Sequence, residues 1–486
     1  MTRTSRRRFV RATAFAAAAL YGWPIEARGE ARRIVEQGEP NGAPLDATAI
    51  RRLKSQITGR VITPDASDYE SARLIFNRAF DRRPALIIRC ASATDVVRAL
   101  EFAQRQNLPL AVRGGGHSRA GFSVCDNGVV IDLSGMNRVK VDAREGVARA
   151  GAGALVVHLD AATQRFGLAT TSAGCPTVSI AGLTIGGGEG LLMSKYGAAC
   201  DNLVSARIVT VDGRKIEVSQ HSNPDLFWAM RGGGGNFGVV TALEYRLHAL
   251  TDVLAGTLAY PAGQIPELLE AFAKFVARAP DEMNVVGQVL ASEQGPRFQM
   301  LVCHCGDSRV GNSLLSPWRS LSPQQDSIRV MSYLEANATI NPAAPAAHFQ
   351  TNLFLPDLNA EAISTITAAF NDAPPNTRVF MVPIYGAITR VAITDTAFPL
   401  RSFGYEMDIM GRWGNAADEL RAVQWVKSLR DALYPLARGT YVNQLGETSE
   451  ELVREAYGVN YARLAAIKKK YDPNNVLRLN QNIKPA

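Results

Sequence analysis

Two glycine-rich segments each carry one side chain that can form a covalent bond. The first, residues 113–118, reads Arg-Gly-Gly-Gly-His-Ser, and the second, residues 174–178, reads Gly-Cys-Pro-Thr-Val. A further run, Ile-Gly-Gly-Gly-Glu-Gly, follows at residues 185–190. Consecutive glycines let backbone N–H groups approach a ligand closely and form anion-binding nests. An imidazole (His117) or a thiol (Cys175) beside such a cradle predicts a phosphate-bearing cofactor held covalently at one or two points, which favours flavin chemistry over hydrolysis.

Length and composition limit the architecture and the partners. The chain has 486 residues, of which 47% are hydrophobic, too many for one ordinary core, so two or three domains are expected. The net charge of +8 is misleading, because about half of it comes from an arginine-rich N-terminus. Beyond that N-terminus the one tight basic run, residues 468–470, is predicted to be a solvated helix face. No nucleic-acid partner is therefore expected.

The N-terminus has the pattern of an export signal. Three arginines, residues 6–8, precede Phe9 and an alanine-rich run over residues 12–20. A charged region, a short apolar run and small residues are typical of a secretory signal, and the arginine pair favours the twin-arginine type. We therefore predict a signal peptide over residues 1–27 and a periplasmic or extracellular protein. The apolar run is too short to span a bilayer, and no membrane partner is expected.

Six cysteines leave their pairing open. Cys303-His304-Cys305 could suggest a metal, but C-x-C without a second Cys or His pair is a weak zinc signal. The apolar residues 300–302 before it favour an ordinary strand, and no metal site is predicted. Disulfides in the exported form remain possible.

Hydrophobic patterning predicts an α+β chain with much antiparallel pairing. After a polar lead-in at residues 28–60, short strands and glycine turns fill residues 61–249, with one amphipathic helix ending near Gln106. Residues 250–435 carry longer helices between alternating strands and are predicted to form a second domain. Residues 436–486 return to helix and then coil.

One glycine motif invites a different interpretation. Residues 233–238 fit G-x-G-x-x-G, but a Rossmann fingerprint needs a strand before it and a helix after it. Here residues 224–228 look helical and residues 239–245 look like a strand. The order is inverted, so Rossmann-type dinucleotide binding is not expected.

Four ordered motifs identify a resemblance. The segments 112–118, 174–178, 225–238 and 471–483 closely resemble those of the berberine bridge enzyme-like FAD-linked oxidases, in the vanillyl-alcohol oxidase/p-cresol methylhydroxylase (PCMH) superfamily. The resemblance implies a PCMH-type FAD-binding domain of two subdomains over residues 61–249, completed by residues 436–486. It also implies a substrate domain over residues 250–435, with a large antiparallel sheet backed by helices.

The resemblance implies covalently bound FAD. The position of His117 matches the histidine that attaches to the flavin 8α-methyl, and Cys175 matches the cysteine that attaches to flavin C6. The other implied cofactor-binding residues are Arg113, Gly114, Gly115, Gly116, Ser118, Gly174, Val178, Ser179, Gly182, Gly187, Gly188, Gly190, Val240, Asn443 and Asn480. Relatives usually have glycine where this chain has Ser179, whose side chain is expected to face the flavin edge. A small Val178 goes with oxygen reactivity and favours an oxidase over a dehydrogenase.

Tyr441 is the expected base, because Tyr441-Val442-Asn443 resembles the Tyr-x-Asn segment of the family. Its reference pKa, near ~10, would need lowering by positive charge or hydrogen bonds, and Arg401 is expected to help. Asp395 and Tyr405 are the second choices for the base.

The implied activity is oxidation of an alcohol-type C–H bond by FAD, with O2 as electron acceptor and H2O2 as product. Sugars, oligosaccharides and bulky secondary metabolites are the expected small-molecule substrates. Two alternatives stay open: a dehydrogenase that passes electrons to a periplasmic carrier, and a catalytically silent flavin-binding protein. The substrate and the oligomeric state are not predicted.

Overall fold

The computed structural model describes residues 45–339 and 344–486. The predicted signal peptide and most of the lead-in lie outside these residues. None of the helices described there is long and apolar enough to cross a membrane. The predicted α+β class is confirmed, as is the large antiparallel sheet backed by helices.

One strand of the first sheet leads directly into the histidine-bearing loop, residues 113–118. It contains β1 (Arg60–Ile62), β2 (Leu86–Arg89), β3 (Leu110–Arg113) and β4 (Val129–Asp132) in the order β1-β2-β4-β3. Both β2 and β3 run parallel to β4, so their carboxyl ends meet at one edge. There Arg113 and Asp132 form a buried ion pair of 2.9 Å.

The second sheet is antiparallel throughout. Residues 139–249 contain β5 (Val139–Asp142), β6 (Val147–Gly151), β7 (Leu168–Ala169), β8 (Leu203–Val209), β9 (Lys215–Ser219), β10 (Val239–Arg246) and β11 (His248–Ala249). Five of them pair in the order β5-β6-β10-β8-β9, and β7 pairs with β11. The helix Pro224–Met230 precedes the 233–238 motif and β10 follows it. The inverted order predicted from the sequence is therefore confirmed.

The third sheet is the largest, with eight strands. They are β12 (Asp252–Pro261), β13 (Met283–Ser292), β14 (Gly295–His304), β15 (Gln325–Asp326), β16 (Arg329–Ser332), β17 (Ala347–Leu355), β18 (Thr377–Ile384) and β19 (Gly404–Trp413). Helices cover one face, where Phe272 and Val426 pack on alternate strand residues such as Met407. Because strand side chains alternate between faces, the residues between these point to the other face, which forms part of the site described below.

Helices connect and cover the sheets. The α-helices are Ala47–Gln56, Tyr69–Arg73, Ala93–Arg105, Val156–Thr163, Ile180–Ile185, Met193–Tyr196, Pro224–Met230, Ile265–Val276, Ser308–Arg319, Tyr333–Thr339, Ala360–Ala369, Ala416–Leu433, Glu450–Tyr457 and Tyr461–Tyr471. The 3-10 helices are Leu133–Gly135, Gln164–Phe166, Ala199–Asn202, Ala262–Gln264, Gly386–Arg390, Tyr434–Leu436 and Gly458–Asn460.

The C-terminal segment packs on the glycine motif at residues 233–238. The amide of Asn480 donates to the Gly235 carbonyl at 3.1 Å. The Asn236 amide donates to the Gln481 carbonyl at 3.2 Å. These bonds bring the end of the chain to the edge of the cavity described below.

The interpretation of residues 468–470 as a solvated helix face is wrong for Lys468. Its ammonium is fully buried and donates to the Asn236 carbonyl at 2.8 Å and to the Asp472 carboxylate at 2.7 Å. Lys469 is exposed, and Lys470 forms a surface ion pair with Asp225. The helix therefore presents its first lysine to the core, where backbone carbonyls and a carboxylate compensate the charge.

None of the six cysteines, all of which the structure describes, forms a disulfide. Cys303 lies in β14, as the apolar residues before it predicted. Within the described ranges, no group of three His, Cys, Asp or Glu side chains is arranged to hold a metal ion.

The buried carboxyl of Asp160 joins the helix Val156–Thr163 to the helix Tyr333–Thr339. Asp160, which is 2% exposed, accepts hydrogen bonds from the Asn337 amide at 2.6 Å and from the Ser172 hydroxyl at 3.1 Å. Burial raises the pKa of Asp160 to about 7, and these two hydrogen bonds oppose the shift. The folded state therefore prefers the protonated carboxyl.

This carboxyl predicts a pH-dependent stability. Its contribution is fully present below the unfolded pKa of about 4 and is lost as pH rises through about 7, a total of about 4 kcal/mol. We expect Asp160→Asn to remove this decline. The difference in unfolding free energy between wild type and variant, measured by urea denaturation from pH 4 to pH 8, checks it. A difference that does not change over this range contradicts the assignment.

Candidate active site

A cavity of about 360 Å³ lies between the glycine-rich loops and the uncovered face of the third sheet. Most of the cofactor-binding residues predicted from the sequence line it, together with the expected base. They are Gly114, Gly115, Gly116, His117, Ser118, Gly174, Cys175, Val178, Ser179, Gly182, Gly190, Asn443, Asn480 and Tyr441. Strands β13, β14, β18 and β19 supply the opposite wall through residues such as Val286, Leu301 and Phe380.

The two candidate attachment residues meet at one threonine. The Thr177 hydroxyl lies 3.0 Å from His117 Nε2 and 3.5 Å from Cys175 Sγ. The imidazole stacks on Phe76, with ring centroids 4.0 Å apart. Burial, followed by the charge of Arg119, lowers the pKa of His117 to about 3. The imidazole is therefore neutral near pH 7, the form in which a ring nitrogen can act as a nucleophile.

The cavity fits a polar, phosphate-bearing ligand such as FAD. A Cβ added at Gly182 or Gly235 would meet no atom within 4 Å, so the backbone at these points is open to the cavity. Asn480 Oδ1 and Gln481 Oε1 are buried at its edge, and neither has a hydrogen-bond partner among the described residues. Open glycine backbone allows close contact with a phosphate, and the free amide oxygens can accept from N–H or O–H groups of a polar ring or a ribose.

Ser179 lines the cavity, as expected, but its hydroxyl is engaged by the protein backbone. Its hydroxyl donates to the Ala152 carbonyl at 2.9 Å and accepts the N–H of Ala181, so it caps the helix Ile180–Ile185. A Cβ at Gly114 would lie 2.4 Å from this hydroxyl. Ser179 therefore packs closely against Gly114, and its hydroxyl is bonded to the protein backbone.

Tyr441 lies in the cavity wall, but its environment is not the expected one. Its hydroxyl oxygen accepts hydrogen bonds of 2.8 Å from the Gly188 N–H and from the Asn443 amide. Burial and the nearby Glu189 nevertheless raise the pKa of Tyr441 well above its usual range. The expectation of a lowered pKa is therefore wrong, and the phenol keeps its proton near pH 7.

Arg401 does not lie against Tyr441. Its guanidinium forms a bidentate ion pair with Asp201, with two distances of 2.7 Å, and stacks over Phe398. This pair is buried behind the cavity wall and neutralises the arginine locally. The prediction that Arg401 lowers the tyrosine's pKa is not supported by this arrangement.

The second-choice bases also lie outside the cavity. Asp395 is exposed on a loop. Tyr405 is 1% exposed and packs with Phe272 on the helix-covered face of the third sheet. Strand alternation explains this, because Tyr405 is an odd-numbered residue of β19 and the even-numbered ones face the cavity.

Four predicted cofactor residues do not line the cavity itself. Gly187 packs on Phe398, and Gly188 donates to Tyr441. Arg113 forms its ion pair with Asp132 behind the histidine-bearing loop. Val240 is 4% exposed and is part of the core beneath β10.

Three carboxyl groups in and behind the cavity wall were not predicted from the sequence. Glu189 and Asp408 line the cavity, each with one carboxylate oxygen lacking a partner within the described ranges. Glu406 lies one strand repeat from Asp408 and accepts from the Asn352 amide group. The Asn352 side-chain oxygen in turn accepts the backbone N–H of Tyr441 at 2.8 Å. Asn352 thus joins Glu406 to the backbone of Tyr441.

The carboxyl groups differ in how readily they ionise. Burial raises the pKa of both Glu189 and Asp408, and the charge of Asp408 raises that of Glu189 further. The guanidinium groups of Arg119, Arg378 and Arg412 oppose the rise for Asp408. Asp408 therefore ionises before Glu189, and one carboxylate and one carboxylic acid share the cavity near neutral pH.

Family models match two segments of the chain that contribute residues to this site. An FAD binding domain matches residues 84–219, and a berberine and berberine-like domain matches residues 440–484. The first segment contains both loops with the candidate attachment residues. The second contains Tyr441, Asn443 and Asn480.

Relatives match nearly the whole chain. (R)-6-hydroxynicotine oxidase of Paenarthrobacter nicotinovorans is 32% identical over 452 residues, which cover 88% of this chain and 97% of that protein. The crystal structure of 6-hydroxy-D-nicotine oxidase from Arthrobacter nicotinovorans superposes with a TM-score of 0.81 at 30% identity, covering 88% of this chain and 98% of the other. Berberine bridge enzyme from Eschscholzia californica shares the fold, with a TM-score of 0.81 at 23% identity and coverage of 90% and 99%. The chain therefore belongs to the berberine bridge enzyme-like FAD-linked oxidoreductases, of the PCMH type.

Proposed function

We propose that this enzyme is an oxidase that removes hydride from a C–H bond next to an O–H or N–H group. Its FAD is bound covalently through His117 and also through Cys175, and O2 is the electron acceptor. The observation that carries the proposal is the placement of both nucleophiles at Thr177, in the wall of the cavity. His117 and Cys175 lie on two adjacent loops, an arrangement that would allow both side chains to bond to one edge of the flavin ring system.

The chain's own residues would hold the cofactor and the substrate. The open backbone at Gly182 and Gly235, with the amides of Asn443 and Asn480, would contact FAD. When bound, FAD would supply the hydride acceptor, and O2 would take the two electrons and leave as H2O2. The wall formed by β13, β14, β18 and β19 would hold the substrate against it.

The proton of the substrate's O–H or N–H group needs an acceptor. Tyr441 keeps its own proton, because its pKa is raised. Its oxygen accepts two N–H groups, which leaves the phenol O–H free to donate to the substrate. We assign the base to Asp408, which lines the cavity, has an unpartnered oxygen and ionises before Glu189. Glu406 and Asn352 position this strand against Tyr441.

The substrate is an alcohol or an amine, and a sugar, an oligosaccharide or a bulky secondary metabolite is the alcohol to test first. The name of the 6-hydroxynicotine oxidase relative gives an amine as its substrate, which adds amines to the screen. The arginine-rich residues 1–27 support export of the folded, FAD-loaded enzyme to the periplasm or the medium.

The test is a substrate screen on the purified holoenzyme, with flavin reduction followed without oxygen and then with it. We expect one class of alcohol or amine to bleach the flavin, and oxygen to restore it with one H2O2 per substrate oxidised. Bleaching that only an artificial dye reverses would make the enzyme a dehydrogenase. A flavin that no alcohol or amine reduces would support a silent binding protein.

A further inference from the structure

Three arginines lie in or beside the wall of the cavity. Arg378 lies on β18 and Arg412 on β19, while Arg119 follows the histidine-bearing loop. We call these three residues the arginine cluster. Arg378 and Arg119 line the cavity directly. The charges of the cluster favour ionisation of Asp408, but none of the three arginines is a nucleophile or the base proposed above.

The strand register places the cluster relative to the proposed base. Arg378 is opposite Met410, and Phe380 is opposite Asp408. Residues two apart share a face and lie roughly 7 Å apart along a strand. The Arg378 backbone therefore lies about one strand repeat from Asp408, and its guanidinium stacks 5.0 Å from the centre of the Phe380 ring, the residue opposite Asp408. Arg412 lies one repeat further out, opposite His348.

The positive charge of the cluster is poorly compensated. Among the described residues, Arg378 Nε and Arg412 Nε have no hydrogen-bond partner, although both atoms are buried. Arg119 donates to the neutral Gln444 side chain at 3.3 Å. Asp408 is the carboxylate whose charge acts on both strand arginines. One carboxylate against three guanidinium groups leaves an excess of two positive charges at the wall.

The ionisation of the neighbouring groups reflects this crowding. Burial, followed by the charges of Arg378 and Arg119, lowers the pKa of Arg412 to about 10. Burial and Arg119 also lower the pKa of His348 well below its usual range, so this side chain is neutral. Guanidinium groups that crowd one another in a cavity are stabilised by an anion that bridges them, and their forked donors match carboxylate and phosphate oxygens.

We propose that the substrate carries an anionic oxygen group, a carboxylate or a phosphate, and that the arginine cluster binds it while the oxidised C–H bond lies near Asp408. The proposal rests on the oxidase function proposed above and deepens it. It places the anionic group within about one strand repeat, roughly 7 Å, of the reacting carbon. Among the sugars and secondary metabolites of the screen, those without an acidic group would leave the cluster uncompensated and bind more weakly than their acidic counterparts.

The test measures anion binding separately from turnover. Purified holoenzyme is titrated with benzoate, phenyl phosphate and the neutral isostere benzamide, by calorimetry and by perturbation of the flavin absorbance. We expect at least one of the two anions to bind at least tenfold more tightly than benzamide. Whichever of benzoate and phenyl phosphate binds more tightly shows whether the substrate's anionic group is a carboxylate or a phosphate. Arg378→Gln and Arg412→Gln should each weaken anion binding by ~10-fold to 100-fold, as loss of a charge-assisted hydrogen bond predicts.

Control variants keep the proposal falsifiable. Arg378→Lys keeps the positive charge but lacks the forked donors of a guanidinium. It should therefore bind the anion more tightly than Arg378→Gln and less tightly than wild type. Arg309→Gln removes an exposed arginine that pairs with Asp307 and should change nothing. Equal affinity for benzoate, phenyl phosphate and benzamide overturns the proposal. So do Gln variants that bind anions like wild type but change flavin content or potential, because the cluster would then serve the cofactor.

Failure of the proposal can be told apart from failure of the proposed function. If the protein contains no flavin, the oxidase function falls, but calorimetry still reports whether the cluster binds anions. If flavin is present and neutral substrates reduce it as fast as their acidic counterparts in wild type and in Arg378→Gln, the function stands and the anionic substrate is wrong.

Discussion

Replacing Asp408 with asparagine is expected to slow flavin reduction by substrate by a factor of about 10²–10⁴, the usual contribution of a positioned acid or base. Asparagine keeps the size of the side chain and removes its ability to take a proton. The rate is measured by rapid mixing with substrate in the absence of oxygen. Flavin content should not change, because Asp408 lies on the sheet and not on the glycine-rich loops.

Two comparison variants sharpen this prediction. Tyr441→Phe removes only a hydrogen-bond donor and should cost about tenfold. Asp372→Asn changes an exposed carboxylate and should have no effect. If Asp408→Asn reduces its flavin at the wild-type rate while Tyr441→Phe is slowed a hundredfold or more, the base is the tyrosine after all.

Replacing Lys468 with methionine is expected to lower the free energy of unfolding by about 3–5 kcal/mol, as observed when one partner of a buried ion pair is removed. Lys468 and Asp472 are both fully buried and lie 2.7 Å apart. Methionine fills similar space but leaves the Asp472 carboxylate without its cation, and two backbone carbonyls lose their donor. The measurement is urea denaturation of the purified protein.

The neighbouring lysine provides the control. Lys469→Met changes the same residue type on the exposed side of the same helix and should alter stability by less than about 0.5 kcal/mol. The double variant Lys468→Met/Asp472→Leu should recover part of the loss, since no unpaired charge remains. Equal stability of the Lys468→Met and Lys469→Met variants would falsify the structural role of the pair.

The sequence predicts the loops well and the sheet wall poorly. A histidine and a cysteine in glycine-rich segments are local signals, because the neighbouring residues that make the cradle lie beside them in the chain. The carboxyls of β19 carry no such signal. Whether Asp408 or Tyr405 faces the cavity depends on which face the helices cover, and this is set by packing between distant segments.

Two further residues show how tertiary contacts override local patterns. Three consecutive lysines predict a solvated helix face. Consecutive residues of a helix point in different directions, however, and Lys468 points into the core. There its ammonium donates to Asp472 and to two backbone carbonyls. Ser179 is expected at a flavin edge because it follows Val178, and it lines the cavity, but its hydroxyl donates to the Ala152 carbonyl. In both cases the partner is invisible until the chain is folded.

The most direct test of the central claim is the intact mass of the purified protein after denaturation, with a visible spectrum of the same sample. The account predicts one FAD mass that survives denaturation, is kept in part by His117→Ala and by Cys175→Ala, and is lost when both are replaced. His221→Ala and Cys305→Ser serve as matched controls and should keep the full mass. A protein mass without FAD, whether the flavin is released into the supernatant or never bound, would contradict the proposed double attachment.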